Sequence, residues 1–137
     1  MTQDELDQIL RDAFDAWEAG DLKDAVRLYK RAARQGSNDA RCNLGNIFDD
    51  EIAPSSPSKA VYWYKLGVRD GCESCAWNLA MHYAGLGRRR GYLYWLRSAD
   101  EMGHENAAAE LADGYWWTKR NADRLRAEAT GRENAPF

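Results

Sequence analysis

Hydrophobic and polar positions along the chain repeat around three glycines, Gly36, Gly71 and Gly103, which lie 35 and 32 residues apart. At most fixed offsets from each glycine, the three units carry residues of similar size. Offsets of three, four and seven keep residues on one helical face, so each unit is predicted to hold one helix before its glycine and one after it. The repeated columns are Ala25/Ala60/Tyr92, Leu28/Trp63/Trp95, Tyr29/Tyr64/Leu96, Ala32/Gly67/Ala99, Ala40/Cys75/Ala107, Leu44/Leu79/Leu111, Gly45/Ala80/Ala112 and Phe48/Tyr83/Tyr115.

This pattern predicts an all-α fold of about 7–8 helices. No single pair of helices can bury its apolar face alone, so the pairs are expected to stack against each other. We expect one domain over 1–130, ending in a polar capping helix, followed by a flexible tail over 131–137. The predicted helices are 4–19, 22–35, 39–49, 57–70, 74–84, 90–102, 105–118 and 120–129, with a loop at 53–58 and Ser56 as N-cap before Pro57.

Two blocks of sequence resemble known helical repeats. The block 17–32 resembles a tetratricopeptide repeat, and 59–65 followed by Gly71 is similar to the Sel1-like repeat, as are Ala40, Leu44-Gly45 and Phe48. The resemblance implies a right-handed α-solenoid of antiparallel helix pairs whose concave surface, lined by the first helix of each pair, binds a protein or peptide. It implies no catalysis. Tyr92 and Asp100 depart from the repeat, so the third unit is expected to pack differently.

The residues left over from the packing columns form a stripe on the first helix of each pair. The stripe contains Asp39, Cys42, Asn43, Asn46, Asp49, Ser74, Trp77, Asn78, Met81, Ala84, Asn106, Ala109, Glu110, Asp113 and Trp116, and the N-terminal helix should add Arg11, Phe14, Trp17 and Glu18. The residues we expect to bind a partner are Trp17, Asn43, Asn46, Asp49, Trp77, Asn78, Met81, Glu110, Asp113 and Trp116. The stripe is acidic, amide-rich and aromatic, which favours a basic or amide-rich partner.

The cysteines raise the question of redox or metal chemistry. Cys72 and Cys75 form a C-x-x-C pattern, and with Cys42 and His82 they would supply a Cys₃His zinc set. Cys75 falls in a packing column and Cys42 on the stripe, so their side chains are expected to point apart. The odd cysteine count predicts no disulfide framework. Disulfide-rich Sel1-like relatives pair cysteines across the two helices of each repeat, and the spacing of Cys42, Cys72 and Cys75 does not repeat that pattern. No metal or cofactor is expected.

Composition adds a few limits. The formal net charge of −3 predicts neither a nucleic-acid nor a membrane partner. The N-terminus has no secretory signal pattern, so a cytoplasmic protein is expected, and we expect a monomer.

The sequence therefore predicts a non-enzymatic protein-interaction module, either an adaptor or scaffold. One alternative is a bacterial immunity-type stoichiometric inhibitor of a toxin. An alternative of another class is a redox or zinc protein that depends on the C-x-x-C pattern.

Overall fold

A computed structural model describes residues 1–51 and 56–134, excluding the side chains of 50, 51 and 131–134. All regular secondary structure in this part of the chain is helical. The α-helices, numbered α1 to α9 in chain order, are Gln3–Glu18, Leu22–Arg34, Asn38–Asn46, Pro57–Arg69, Glu73–Gly85, Arg89–Glu101, Ala107–Asp113, Tyr115–Arg120 and Ala122–Asn134, and a π-helical turn, Ile47–Glu51, follows α3.

The repeated glycines end α2, α4 and α6 as predicted. Gly36, Gly71 and Gly103 have φ values of 89°, 90° and 92°, a left-handed conformation that glycine adopts without strain. The residue after each glycine donates its backbone N–H to the carbonyl of the small residue four positions before the glycine, as Ser37 does to Ala32. This bond closes the helix end in the Schellman pattern, which explains why the glycine and the small residue recur together.

The helices pack in chain order, with each of α1 to α6 against the next and α3 also against α5. In the first two units, the predicted columns of small residues and the Tyr29/Tyr64 and Leu44/Leu79 columns are buried, whereas Tyr83 is half-buried. An added Cβ would overlap the Tyr64 ring at Gly45 and the Cys75 sulfur at Gly67, so these glycines allow close helix approach. Two core clusters, one around α1–α4 and one around α5–α7, share Val68, Tyr83 and Trp95 as half-buried neighbours.

The third unit departs from the repeat. The single helix predicted over 105–118 is wrong, because α7 ends at Asp113 and α8 begins at Tyr115. Gly114 between them has φ 66°. Ala112 and Tyr115 are exposed, whereas their columns are packing positions in the earlier units. The expectation that this unit packs differently is confirmed.

The polar helix expected near 120–129 is present as α9 and extends to Asn134, past residue 131, where the tail was predicted to begin. Of the loop predicted at 53–58, residues 53–55 lie outside the described residues, as do 52 and 135–137, and 57–58 already belong to α4. Among the helices described, none is long and apolar enough to span a bilayer.

Candidate protein-binding face

Helices α1, α3 and α5 meet, together with α2, around a surface cavity of about 260 Å³, which we call the α1–α3–α5 cavity. Larger hollows lie on α2 and between α4 and α6, but the α1–α3–α5 cavity gathers residues from four helices and several residues of the predicted stripe. Its lining residues are Leu10, Phe14, Tyr29, Asp39, Cys42, Asn43 and Ser74.

Acidic and basic residues are unevenly distributed between α1 and the second helices of the pairs, α2, α4 and α6. Helix α1 carries six acidic residues and one basic residue. Helices α2, α4 and α6 together carry eleven basic and three acidic residues. The net charge of −3 therefore conceals an acidic α1 beside the cavity and basic second helices of each pair. Such a division steers a charged partner to one set of helices.

Phe14 and Asn43 are accessible to solvent at this cavity. Phe14 is 51% exposed although it is a large apolar side chain, and Asn43 is half-buried. Trp17, one turn along α1 from Phe14, is half-buried and meets the Tyr29 ring edge-on, with ring centroids 6.3 Å apart. Trp17 therefore packs against the cavity residue Tyr29 with part of its ring and leaves the rest of the ring exposed to solvent.

Two other predicted residues make contacts inside the molecule. Tyr64 donates its hydroxyl to Asn46 Oδ1 at 2.6 Å. Asp49 Oδ1 lies 2.9 Å from Nδ1 of the buried His82. Through these contacts the polar groups of Asn46 and Asp49 connect neighbouring units. Because both side chains are half-buried, they are only partly accessible. Periodicity places them on the correct helices but cannot show these partners.

The predicted residues of α5 differ in exposure. Trp77 and Asn78 are half-buried, and the Trp77 ring stacks on His104 with centroids 4.6 Å apart. Met81 is 7% exposed and belongs to the core cluster around α5–α7. Trp77 and Asn78, one turn along α5 from the cavity residue Ser74, are therefore partly accessible, whereas Met81 belongs to the core.

The predicted C-terminal residues divide in the same way. Glu110 is only 4% exposed, and its carboxylate accepts hydrogen bonds from the Tyr92 hydroxyl and from the backbone N–H groups of Trp116 and Trp117. Burial, together with this bond to Glu110, raises the pKa of Tyr92. Asp113 and Trp116 are exposed. Glu110 is therefore structural in its contacts, while Asp113 and Trp116 are accessible.

The cysteines correct the expectation that their side chains point apart, and one disulfide is present although no disulfide framework was predicted. Cys42 and Cys75 do not point apart: they form a disulfide that joins α3 to α5. Cys72 is the N-cap residue of α5, and its sulfur lies 3.5 Å from that of Cys42. His82 is not part of this cluster, so the Cys₃His zinc set does not assemble in the part of the chain described.

The offsets misassigned the cysteines because they describe single helices. Cys42 was assigned to the stripe and Cys75 to a packing column, yet α3 and α5 lie side by side, with the two Cα atoms 5.5 Å apart. Side chains on different columns of neighbouring helices can therefore meet. The stripe contained five of the seven lining residues, and only Leu10 and Tyr29 were not on it. The five are Phe14, Asp39, Cys42, Asn43 and Ser74.

Comparison with known proteins gives partial matches. The chain is similar to Sel1-like repeat proteins. It is 34% identical over 104 residues, 73% of its length, to a Sel1-like repeat-containing protein of Schizosaccharomyces pombe. It is also 35% identical over 65 residues, 47% of its length, to an F-box protein of Arabidopsis thaliana.

The similarity concerns a small part of each relative. The chain spans 16% of the S. pombe protein and 18% of the A. thaliana protein. No family model matches the chain. No solved structure matches it.

Proposed function

We propose that the chain is a Sel1-like repeat module that stacks as a right-handed solenoid and binds one protein partner. The binding face is the α1–α3–α5 cavity with its acidic surroundings and the neighbouring Trp77. The partner presents a basic or amide-rich surface. The observation that carries this proposal is an exposed phenylalanine, Phe14, at the mouth of a cavity bordered by Asp39 and Asn43.

The chemistry of the cavity supports a protein ligand. Aromatic side chains in partly enclosed sites contribute much of the free energy of protein–protein binding. Asn43 offers both a donor and an acceptor, which suits the backbone of a peptide or loop. Asp39 and the acidic residues of α1 attract basic side chains. The similarity to a Sel1-like repeat protein agrees with this assignment.

A test begins with the partner that the wild-type chain captures from its host. The affinity of that partner is then measured for wild type, for Phe14→Ala and for Asn43→Ala. Phe14→Ala is expected to weaken binding about 30-fold, which corresponds to about 2 kcal/mol for an interface anchor. Raised salt concentration should weaken association with wild type, because salt ions screen the charges of the acidic residues of α1.

The matched control is Tyr94→Ala. Tyr94 is 62% exposed on α6, one of the basic helices, and should not affect this face. Binding that survives Phe14→Ala and Asn43→Ala but is lost in Tyr94→Ala would move the site to the basic helices. Circular dichroism of every variant shows whether a loss of binding reflects a loss of fold.

A further inference from the structure

Three sulfur atoms are gathered where α3 meets the start of α5. The Cys42–Cys75 disulfide joins residues 33 positions apart. The third cysteine, Cys72, is in the thiol form, and its sulfur lies 3.5 Å from the sulfur of Cys42. The three sulfurs all lie within 4.8 Å of one another. A free thiol this close to a disulfide sulfur is positioned for thiol–disulfide exchange.

The three cysteines differ in their access to solvent. Cys75 is fully buried and packs against Gly67, where an added Cβ would overlap its sulfur. Cys42 is 8% exposed, whereas Cys72 is only half-buried. The free thiol thus lies at the most accessible of the three positions. Exchange within the cluster would move that thiol to a position that reagents cannot reach.

We propose that Cys42, Cys72 and Cys75 form an internal thiol–disulfide exchange site. The Cys72 thiolate attacks the Cys42 sulfur, a Cys42–Cys72 bond forms, and the Cys42–Cys75 bond breaks. Cys75 leaves as a thiolate and is then protonated, which balances the proton that Cys72 released. The number of disulfides is unchanged, so the step consumes no oxidant or reductant.

Both forms of the site keep α3 tied to the start of α5. Cys72 and Cys75 are the N-cap residue and a first-turn residue of the same helix, and Cys42 is within reach of both. The two forms differ in the free thiol. With Cys42–Cys75 bonded it is the half-buried Cys72, open to alkylation or to small disulfides. With Cys42–Cys72 bonded it is the buried Cys75, which is protected.

The sequence allows the two forms to be separated by one digestion. Glu73 lies between Cys72 and Cys75, and cleavage after glutamate places the three cysteines on separate peptides, 19–51, 52–73 and 74–101. The purified oxidised chain is incubated in mildly alkaline buffer, quenched with acid, alkylated with N-ethylmaleimide and digested without reduction. Mass spectrometry then identifies which peptides are linked.

Exchange predicts two linked pairs in wild type, 19–51 with 74–101 and 19–51 with 52–73. Cys72→Ser should lose the second pair completely, and Cys75→Ser, shown by circular dichroism to be folded, should contain only the second pair. A wild type that contains only the first pair, or a folded and oxidised Cys75→Ser chain with no linked pair, would overturn the proposal. So would three free cysteines that release one equivalent of zinc on acidification.

Discussion

At the scale of single residues, Glu110 shows how a polar position can be structural. Its carboxylate accepts from the Tyr92 hydroxyl on α6 and from two backbone N–H groups at the start of α8. The first N–H groups of a helix have no partner within the helix, so Glu110 supplies acceptors that α8 lacks. It thereby fixes the break at Gly114 and joins α6, α7 and α8.

Glu110→Ala is expected to lower the free energy of unfolding by about 3 kcal/mol, because it leaves three donors without their acceptor. Chemical denaturation followed by circular dichroism measures the change. The control, Glu101→Ala, removes an exposed carboxylate on α6 and should change stability by less than about 0.5 kcal/mol. Equal effects of the two substitutions would contradict the structural role of Glu110.

At the scale of elements, close packing between helices depends on glycine residues at the contact. Glycine inside a helix is usually about 1 kcal/mol less favourable than alanine. Gly45 lies in the last turn of α3, which continues into the π-helical turn, and a Cβ there would overlap the ring of Tyr64 on α4. The close approach of α3 and α4 therefore offsets the poor helix propensity of glycine.

Gly45→Ala should accordingly destabilise the fold by about 1–3 kcal/mol, the range for overpacked cores. Gly85→Ala is the matched control, because a Cβ at Gly85 meets only Arg120 Nη1 at 3.7 Å. That variant should be neutral or slightly more stable. Thermal unfolding of both variants checks the signs, and a stabilised Gly45→Ala chain would mean that α3 and α4 are further apart.

The elements also show where sequence reasoning succeeds. The ends of α2, α4 and α6 were predictable because each has a glycine and, four positions earlier, a small residue whose carbonyl accepts the backbone N–H of the residue after the glycine. The α7–α8 break was not predictable, since it depends on a buried bond between Glu110 and Tyr92, 18 residues away. The same limit applies to Asp49 and His82, which lie 33 residues apart.

At the scale of the whole molecule, two buried tyrosines connect stability to alkaline pH. Tyr29 and Tyr92 are 1% and 2% exposed, and burial raises the pKa of both. A pKa that is higher in the folded than in the unfolded chain stabilises the fold below the unfolded value, about 10 for tyrosine. That stabilisation is lost as the pH rises through the folded values.

The free energy of unfolding should therefore fall as the pH rises above about 10. Denaturant titrations at neutral pH and at a pH of about 11 measure the fall. Tyr92→Phe should be less stable at neutral pH but should lose less on the alkaline side, whereas Tyr94→Phe, at an exposed tyrosine, should behave as wild type. Identical pH slopes for all three chains would exclude this origin.

The disulfide between α3 and α5 also determines what a protease can do to the molecule. A chain cut once between residues 42 and 72 remains one covalent molecule, whether Cys42 is bonded to Cys75 or to Cys72. The nicked protein runs as two fragments on a gel only after reduction. A single cut in this stretch, which includes the connection from the π-helical turn to α4, cannot by itself release half of the protein.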